Sequence, residues 1–325
     1  MKKALITGIT GQDGSYLAEF LLKKGYEIHG TTYGKSDNIW RIENIKEKIK
    51  VYECDVRDEN KIIELVKEII PDEIYHLASS VETRIIFEEE QNILKASFES
   101  AHFFLRAIKL YSNKSKFFLA GSSLMFGDVQ ESPQNENTPF SPNSPYGIAK
   151  MAGFYFVKMY REAYGIFACS GILHNHESPR RNFNFIPRKI TSIAAKIKFG
   201  KENKLVLGNI EARRDWGFAG DYVEAMWLML QQDKPDDYVI GTGKIHSVKD
   251  ILDIAFREVG LDWQKYVVIS EEFFRKEGNV PIVSDISKIK NKLGWQPKTS
   301  FEELIKMMIQ EDIRIVGEES KKVVI

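Results

Sequence analysis

A chain of 325 residues with 43% hydrophobic side chains can hold two domains or one large α/β unit around a sizeable core. Its 46 basic and 46 acidic side chains cancel, which removes any global electrostatic reason to expect nucleic acid or an anionic membrane as partner. Cys54 and Cys169 are too few for a disulfide framework or a four-cysteine zinc site, and no apolar run approaches the ~20 residues of a membrane span.

The N-terminus enters a strand pattern at once, without a signal-peptide pattern, so an enzyme-sized protein of the reducing cytoplasm is expected. Ala4-Leu5-Ile6-Thr7 is a short apolar run of the kind that makes a buried parallel strand. It stops at Gly8, and Gly11 and Gly14 follow before the helical run Tyr16-Leu17-Ala18-Glu19-Phe20-Leu21-Leu22. Gly25 ends that helix, and Glu27-Ile28-His29-Gly30-Thr31-Thr32 reads as the second strand. Further strands are expected at 49–52, 73–77, 116–120 and 167–173, with helices near 59–69, 91–111 and from Tyr146. Strands alternating with helices of ten or more residues imply βαβ units, hence a Rossmann-type doubly wound α/β fold with a parallel sheet. The Asn-, Pro- and Arg-rich stretch 174–187 reads as a binding loop between two lobes. Helices follow near 219–232, 247–259 and 300–315, and Gly317-Glu318-Glu319-Ser320-Lys321-Lys322 is expected to fray. The domain reading is 1–173, joined by 214–242, for a dinucleotide, with 174–213 and 243–325 as a smaller substrate lobe.

Gly8-x-x-Gly11-x-x-Gly14 lies between a predicted strand and a predicted helix. One glycine permits the tight turn, and a later one lets backbone N–H groups approach a pyrophosphate at the helix N-terminus. The first spacing is one residue longer than the usual dinucleotide fingerprint, and it resembles the glycine loop of extended short-chain dehydrogenases/reductases. That resemblance gives Asp55 and Val56, after the third strand, an adenine contact, and runs Leu77 and Ser79 past the cofactor's ribose. A turn or capping role is the other reading of Asp55. After the second strand stand Thr31-Thr32-Tyr33-Gly34-Lys35, with neither an acid nor an Arg. Lys35 meets a phosphate only as a point charge, so NAD is favoured over NADP.

Tyr146 and Lys150 follow Ser144-Pro145 at the head of a helix, one turn apart on one face. An ammonium near a phenol favours the phenolate and lowers a pKa that is otherwise ~10. Tyr146 can then take a substrate hydroxyl proton while hydride leaves the same carbon. Ser122 or Ser123, in Gly121-Ser122-Ser123 at the end of the fifth strand, would donate to the same oxygen; loop capping is their alternative.

Several long stretches are similar to the GDP-mannose 4,6-dehydratases: 4–30 with Gln12 and Asp13, Ser144-Pro145-Tyr146-Gly147-Ile148-Ala149-Lys150, and Gly171-Ile172-Leu173-His174-Asn175-His176-Glu177-Ser178-Pro179-Arg180-Arg181. Arg213-Arg214-Asp215-Trp216-Gly217 and Asp221-Tyr222-Val223-Glu224-Ala225-Met226-Trp227 continue the likeness. It implies that Asn175 contacts the sugar nucleotide and that His176 and Arg181 contact the cofactor. Lys189, Asn209, Arg214 and Arg275 would line a GDP pocket, and Arg and Lys suit a diphosphate. Surface ion pairing is the other reading of Arg275.

Two departures matter. Tyr33-Gly34 replaces an Arg pair that suits NADP, which adds weight to NAD. At the end of the fifth strand, Ser122-Ser123-Leu124-Met125-Phe126 replaces the family's Thr-Ser-Glu-x-Tyr, in which Glu removes the C5 proton so that water leaves from C6. Leu124 has no titratable group. The expectation is therefore NAD-dependent oxidation at C4 of a GDP-mannose- or GDP-manno-heptose-type sugar to a 4-keto product, without dehydration, for surface polysaccharides. Its alternatives are a 4-reductase, a 4,6-dehydratase using Glu82 as base, and a non-catalytic nucleotide sensor, against which the Tyr–Lys pair argues. The resemblance implies a tetramer, but the loop 33–41 departs from the family, so a homodimer or homotetramer is expected.

Overall fold

A computed structural model describes residues 1–34, 38–79, 86–274 and 280–322. Lys35, Glu82 and Arg275, all singled out above, lie outside the described residues. The first half runs β1 (Lys3–Thr7), α1 (Gln12–Lys23), β2 (Glu27–Thr32), β3 (Lys50–Glu53), α2 (Glu59–Ile69), β4 (Glu73–His76), α3 (Glu90–Leu94), α4 (Ser100–Tyr111), β5 (Lys116–Ala120) and α5 (Pro145–Tyr164). The chain continues through β6 (Ala168–Leu173), β7 (Asn175–Glu177), α6 (Ile186–Lys198), β8 (Leu205–Leu207), β9 (Arg213–Arg214), β10 (Trp216–Phe218), α7 (Ala219–Leu230) and β11 (Tyr238–Ile240). It closes with β12 (His246–Ser247), α8 (Val248–Val259), β13 (Val267–Ile269), α9 (Ser287–Leu293) and α10 (Phe301–Lys322).

Seven strands form one parallel sheet in the order β11-β6-β5-β4-β1-β2-β3. The order reverses between β1 and β4, and the crevice beyond their carboxyl ends is where such sheets bind nucleotides. Local chemistry sets the helices that flank it. Asp58 caps α2 by accepting from the N–H groups of Asn60 and Lys61. Ser144 caps α5, Pro145 opens it, and left-handed Gly165 closes it. The run expected as one helix near 91–111 is broken by a π-helical turn, Lys95–Glu99, which carries Ser97 toward the site described below.

Leu17, Leu21 and Met226 from α1 and α7 cover one sheet face, while Leu65, Phe104, Ile108 and Val157 from α2, α4 and α5 cover the other. A third apolar cluster joins α6, α8 and α10 through Ile190, Ile251, Phe256, Leu304, Ile305 and Met308. The expected fraying of 317–322 is a correction, for α10 runs on to Lys322. Val316 is buried, and the Arg314–Glu318 pair at 2.7 Å supports the last turns. No described helix is long and apolar enough to cross a membrane.

Candidate active site

The turn from β1 into α1 is shaped by its glycines. Gly8 has φ +68°, and a Cβ on Gly14 would lie 2.4 Å from the Gly8 carbonyl oxygen, so neither position admits a side chain. Gly11 occupies the N-cap and offers no side chain to the first-turn N–H groups, which leaves them facing the crevice. Thr7, at the end of β1, ties this turn to its neighbour. Its Oγ1 accepts from the Leu77 and Ala78 amides at 3.0 and 2.9 Å and lies 2.9 Å from His76 Nδ1. His76 Nε2 is 2.9 Å from Ser100 Oγ, and Ser100 in turn donates 2.8 Å to the Ala96 carbonyl. Burial, with the Lys150 charge, pushes the His76 imidazole down to about 3, so it is neutral. Leu77 and Ser79 are thus held on the rim of the crevice, and the Ser79 hydroxyl lies 2.7 Å from Ser97 Oγ.

Tyr146 and Lys150 stand one turn apart on α5, with the ammonium 5.6 Å from the phenol ring centroid. Lys150 is 2% exposed and donates to the Ala120 carbonyl at 2.8 Å. Burial pushes it down to about 8, so the ammonium is still largely protonated at neutral pH but loses its proton more readily than an exposed lysine. The Tyr146–Lys150 spacing predicts a phenol lowered by the ammonium, but here burial raises Tyr146 above its ordinary value. Arg181 and the Ser79 and Ser122 hydroxyls pull it back. Of the two candidate serines, Ser122 reaches the phenol; its Oγ also accepts from the Leu124 amide at 3.2 Å. Ser123 is buried within the same 3₁₀ turn, Ser123–Met125, and the Leu124 backbone packs against Gly147 at the head of α5.

The segment after β6 clasps α1. His176 Nε2 lies 2.9 Å from Asp13 Oδ2, Gln12 Nε2 donates to the His176 carbonyl at 3.1 Å, and Ser178 Oγ donates to Gln12 Oε1 at 2.8 Å. Burial opposes both charges, yet mutual attraction prevails: the Asp13 carboxyl is lowered and the His176 imidazole raised. Arg181 pairs with Glu177 at 3.2 Å, while Arg180 reaches Ser15 and Glu19.

At the far end of the crevice, Asp55 is held by Arg57, whose Nε and Nη2 donate at 2.8–3.1 Å, instead of standing open to an adenine. Arg57, which motif reading passes over, also donates to the exposed Tyr33 hydroxyl at 3.0 Å and to Asn92 at 3.1 Å. Val56 is buried beside them. In the lobe, Lys189 donates to the Val206 carbonyl at 2.8 Å and lies 5.4 Å over the Phe273 ring, next to Gly208 and Asn209. Asn209 Oδ1 accepts from the Glu211 amide, forming a side-chain turn. Asn175 and Arg214 sit on two other ribbons, consecutive along the chain through β9 and β10: β7 pairs with β10, and β9 with β12. The glycine loop, Ser79, Ser122, Tyr146, Lys150, His176 and Arg181 therefore share one crevice, with the lobe residues on neighbouring elements beyond it. Its bare glycine cradle, capless helix terminus and buried ammonium fit a nicotinamide dinucleotide.

Fold and site together define an enzyme of the short-chain dehydrogenase/reductase type. Residues 5–308 match the family model described as GDP-mannose 4,6 dehydratase. GDP-mannose 4,6 dehydratase 1 of Arabidopsis thaliana is 47% identical over 331 residues, covering 98% of this chain and 91% of the relative. The Homo sapiens GDP-mannose 4,6 dehydratase is 41% identical over 341 residues, covering 96% and 92%. Among solved structures, UDP-glucose 4-epimerase of Thermotoga maritima has a TM-score of 0.85 at 24% identity over 97% of this chain and 99% of that one. For dTDP-glucose 4,6-dehydratase of Bacillus anthracis the TM-score is 0.83 at 18% identity, over 96% of both chains. At these identities the solved structures speak for the fold alone. The chain belongs to the GDP-mannose 4,6-dehydratase family.

Proposed function

We propose that the protein oxidises C4 of a GDP-linked sugar of the mannose or manno-heptose type, in the cytoplasm, for surface polysaccharide synthesis. The observation that carries this reading is the meeting of Tyr146, Ser122 and buried Lys150 beside the glycine cradle. The nicotinamide, when bound, supplies a hydride acceptor. Ser122 donates a hydrogen bond to O4 and orients it toward Tyr146. Tyr146 takes the hydroxyl proton, and Lys150, pushed down to about 8, steadies the negative phenol and anchors a ribose. Oxidation draws on the phenolate that Arg181, Ser79 and Ser122 favour, while the phenol that burial favours can give its proton to a 4-keto oxygen in the reverse reduction. Asp13, His176, Arg181, Leu77 and Ser79 would hold the cofactor, while Asn175, Lys189, Asn209, Arg214 and Arg275 would hold the sugar nucleotide. Residues 1–173 with 214–242 would form the dinucleotide domain and 174–213 with 243–325 the substrate lobe, His176 and Arg181 reaching the cofactor from the lobe and Arg214 reaching the sugar nucleotide from the dinucleotide domain. NAD is favoured over NADP because four of the five Arg57 N–H donors are already engaged by Asp55, Tyr33 and Asn92. Exposed apolar side chains on α4 and α5 (Leu110, Tyr155, Met159) support assembly into a homodimer or homotetramer.

Two fates of the 4-keto sugar remain distinct. The names of the relatives favour 4,6-dehydration, and the comparisons lend that reading the greater weight. Against it stands one specific observation. The turn where the family carries its elimination base here holds Leu124, followed by fully buried Met125 and Phe126. That composition favours arrest after oxidation. Mass spectrometry of the product from GDP-mannose or GDP-manno-heptose separates the two: a loss of about two mass units means oxidation alone, and about eighteen means that water has left. Recovery of unchanged substrate with no nicotinamide absorbance change would sink both.

A further inference from the structure

We infer that Asp215 is a positioning residue for sugar-nucleotide binding, a carboxylate that pins the Arg214 strand to the dinucleotide sheet and to the segment 281–285. The inference rests on the reading above that Arg214 and Asn175 meet the sugar nucleotide. Asp215 is 1% exposed and gathers donors from two other segments. Its Oδ1 accepts from the Thr242 amide at 2.9 Å and the Thr242 hydroxyl at 2.6 Å. Its Oδ2 accepts from the Gly243 amide at 3.1 Å, the Ser284 amide at 3.2 Å and the Ser284 hydroxyl. Thr242 and Gly243 follow β11, the edge strand of the parallel sheet, so the carboxylate joins that edge to β9 and β10.

The fit is close. A Cβ on Gly241 would fall 2.2 Å from Ser284 Oγ and 2.9 Å from Asp215 Oδ2, leaving no room for a larger residue. Segment 281–285 is held in turn by buried Gln134, whose amide donates to the Val283 carbonyl and whose Oε1 accepts from the Val283 amide, both at 2.8 Å. Gln134 lies in the loop between Ser122 and Tyr146. Asp215 therefore sits where the hydride-transfer loop, the sheet edge and the Arg214 ribbon meet, and β10 passes its register directly to Asn175 through the Trp216–Asn175 pair. An amide at this position would turn an NH₂ toward donors, which no rotation of the group relieves.

The test uses the full chain with GDP and NAD as probes, in calorimetry, alongside steady-state kinetics. Asp215→Asn is expected to weaken GDP and raise KM for the sugar nucleotide roughly tenfold, the cost of about one hydrogen bond to a charged group. NAD affinity stays within about twofold, and kcat falls far less than KM rises. Ser284→Ala, which removes one donor, gives a smaller loss in the same direction and carries the test if Asp215→Asn does not fold. Equal loss of NAD and GDP affinity, or a lower melting midpoint with GDP affinity intact, overturns the inference. Arg214→Gln isolates the reading beneath it: unchanged GDP affinity in that variant would remove the substrate site and this inference together.

Discussion

At Lys150 the burial of an ammonium sets chemistry and stability at once. Its pKa of about 8 in the folded protein lies below the ordinary lysine value of 10.5. Between those pH values the unfolded chain holds a proton that the folded chain has released, so stability rises with pH across the window, by about 3 kcal/mol in all. Below pH 8 the folded protein bears that whole cost. Wild type should therefore gain in melting midpoint over a Lys150→Met variant as pH is raised from 7 to 10; parallel curves would mean that the ammonium is not desolvated. Tyr146→Phe belongs to the same scale. It should lower turnover by about 10²–10⁴-fold while dinucleotide affinity, read by fluorescence titration, is kept.

Between elements, the informative contact is the buried ion pair of α6 and α10. Arg188 and Asp312 meet at 2.8 Å, both nearly inaccessible to solvent, and Arg188 also donates to the Pro179 carbonyl in the loop that carries Arg180 and Arg181. Burial pushes the Asp312 carboxyl up to about 6, against the opposing pull of Arg188. The folded state then holds a proton between about pH 4 and 6 that the unfolded chain has lost, so this group's contribution falls as pH rises through that window. Removing one partner leaves the other charged and buried. Arg188→Met alone should cost about 3–5 kcal/mol in urea unfolding, and adding Asp312→Leu should restore most of it. A double variant no more stable than the single one would show that the pair holds the two helices together beyond its charges. Such helix-to-helix pairs escape motif reading because their members lie 124 positions apart in the sequence.

Among the described residues three apolar clusters pack on the sheet and a fourth fills the lobe, so ligand effects should divide along the same line. In hydrogen exchange, GDP is expected to slow amides of β8, β13 and the first turn of α6 while β1, β4 and β5 stay as they are. Protection arising first in the central strands would contradict the placement of the nucleotide near Lys189. The same division explains what the sequence discloses. Strands β1, β5 and β6 are short apolar runs, helices α2 and α5 carry their own side-chain caps, and glycines bracket α1, so local chemistry reveals them. The Tyr146–Lys150 spacing and the glycine loop are local as well. His76 and Asp215 are not, for each acquires its role from partners brought near only by the fold; Arg57 holds Asp55 locally but meets Tyr33 and Asn92 in the same way. The two- and three-residue ribbons β7, β9, β10 and β12 are too short to leave a period.

The string from Leu77 to Ala96 has a fixed sense. Ser100 gives its proton to the Ala96 carbonyl, so it can only receive one from His76, which places the imidazole hydrogen on Nε2. With His76 neutral, Nδ1 is bare and must receive from Thr7, and Thr7 in turn receives from the amides of Leu77 and Ala78. No member can reverse without stranding another. The rim of the cofactor crevice thus hangs from a single tautomer, and a Thr7→Val exchange, which keeps shape but removes the hydroxyl, would leave two backbone amides and one ring nitrogen unanswered at the same instant.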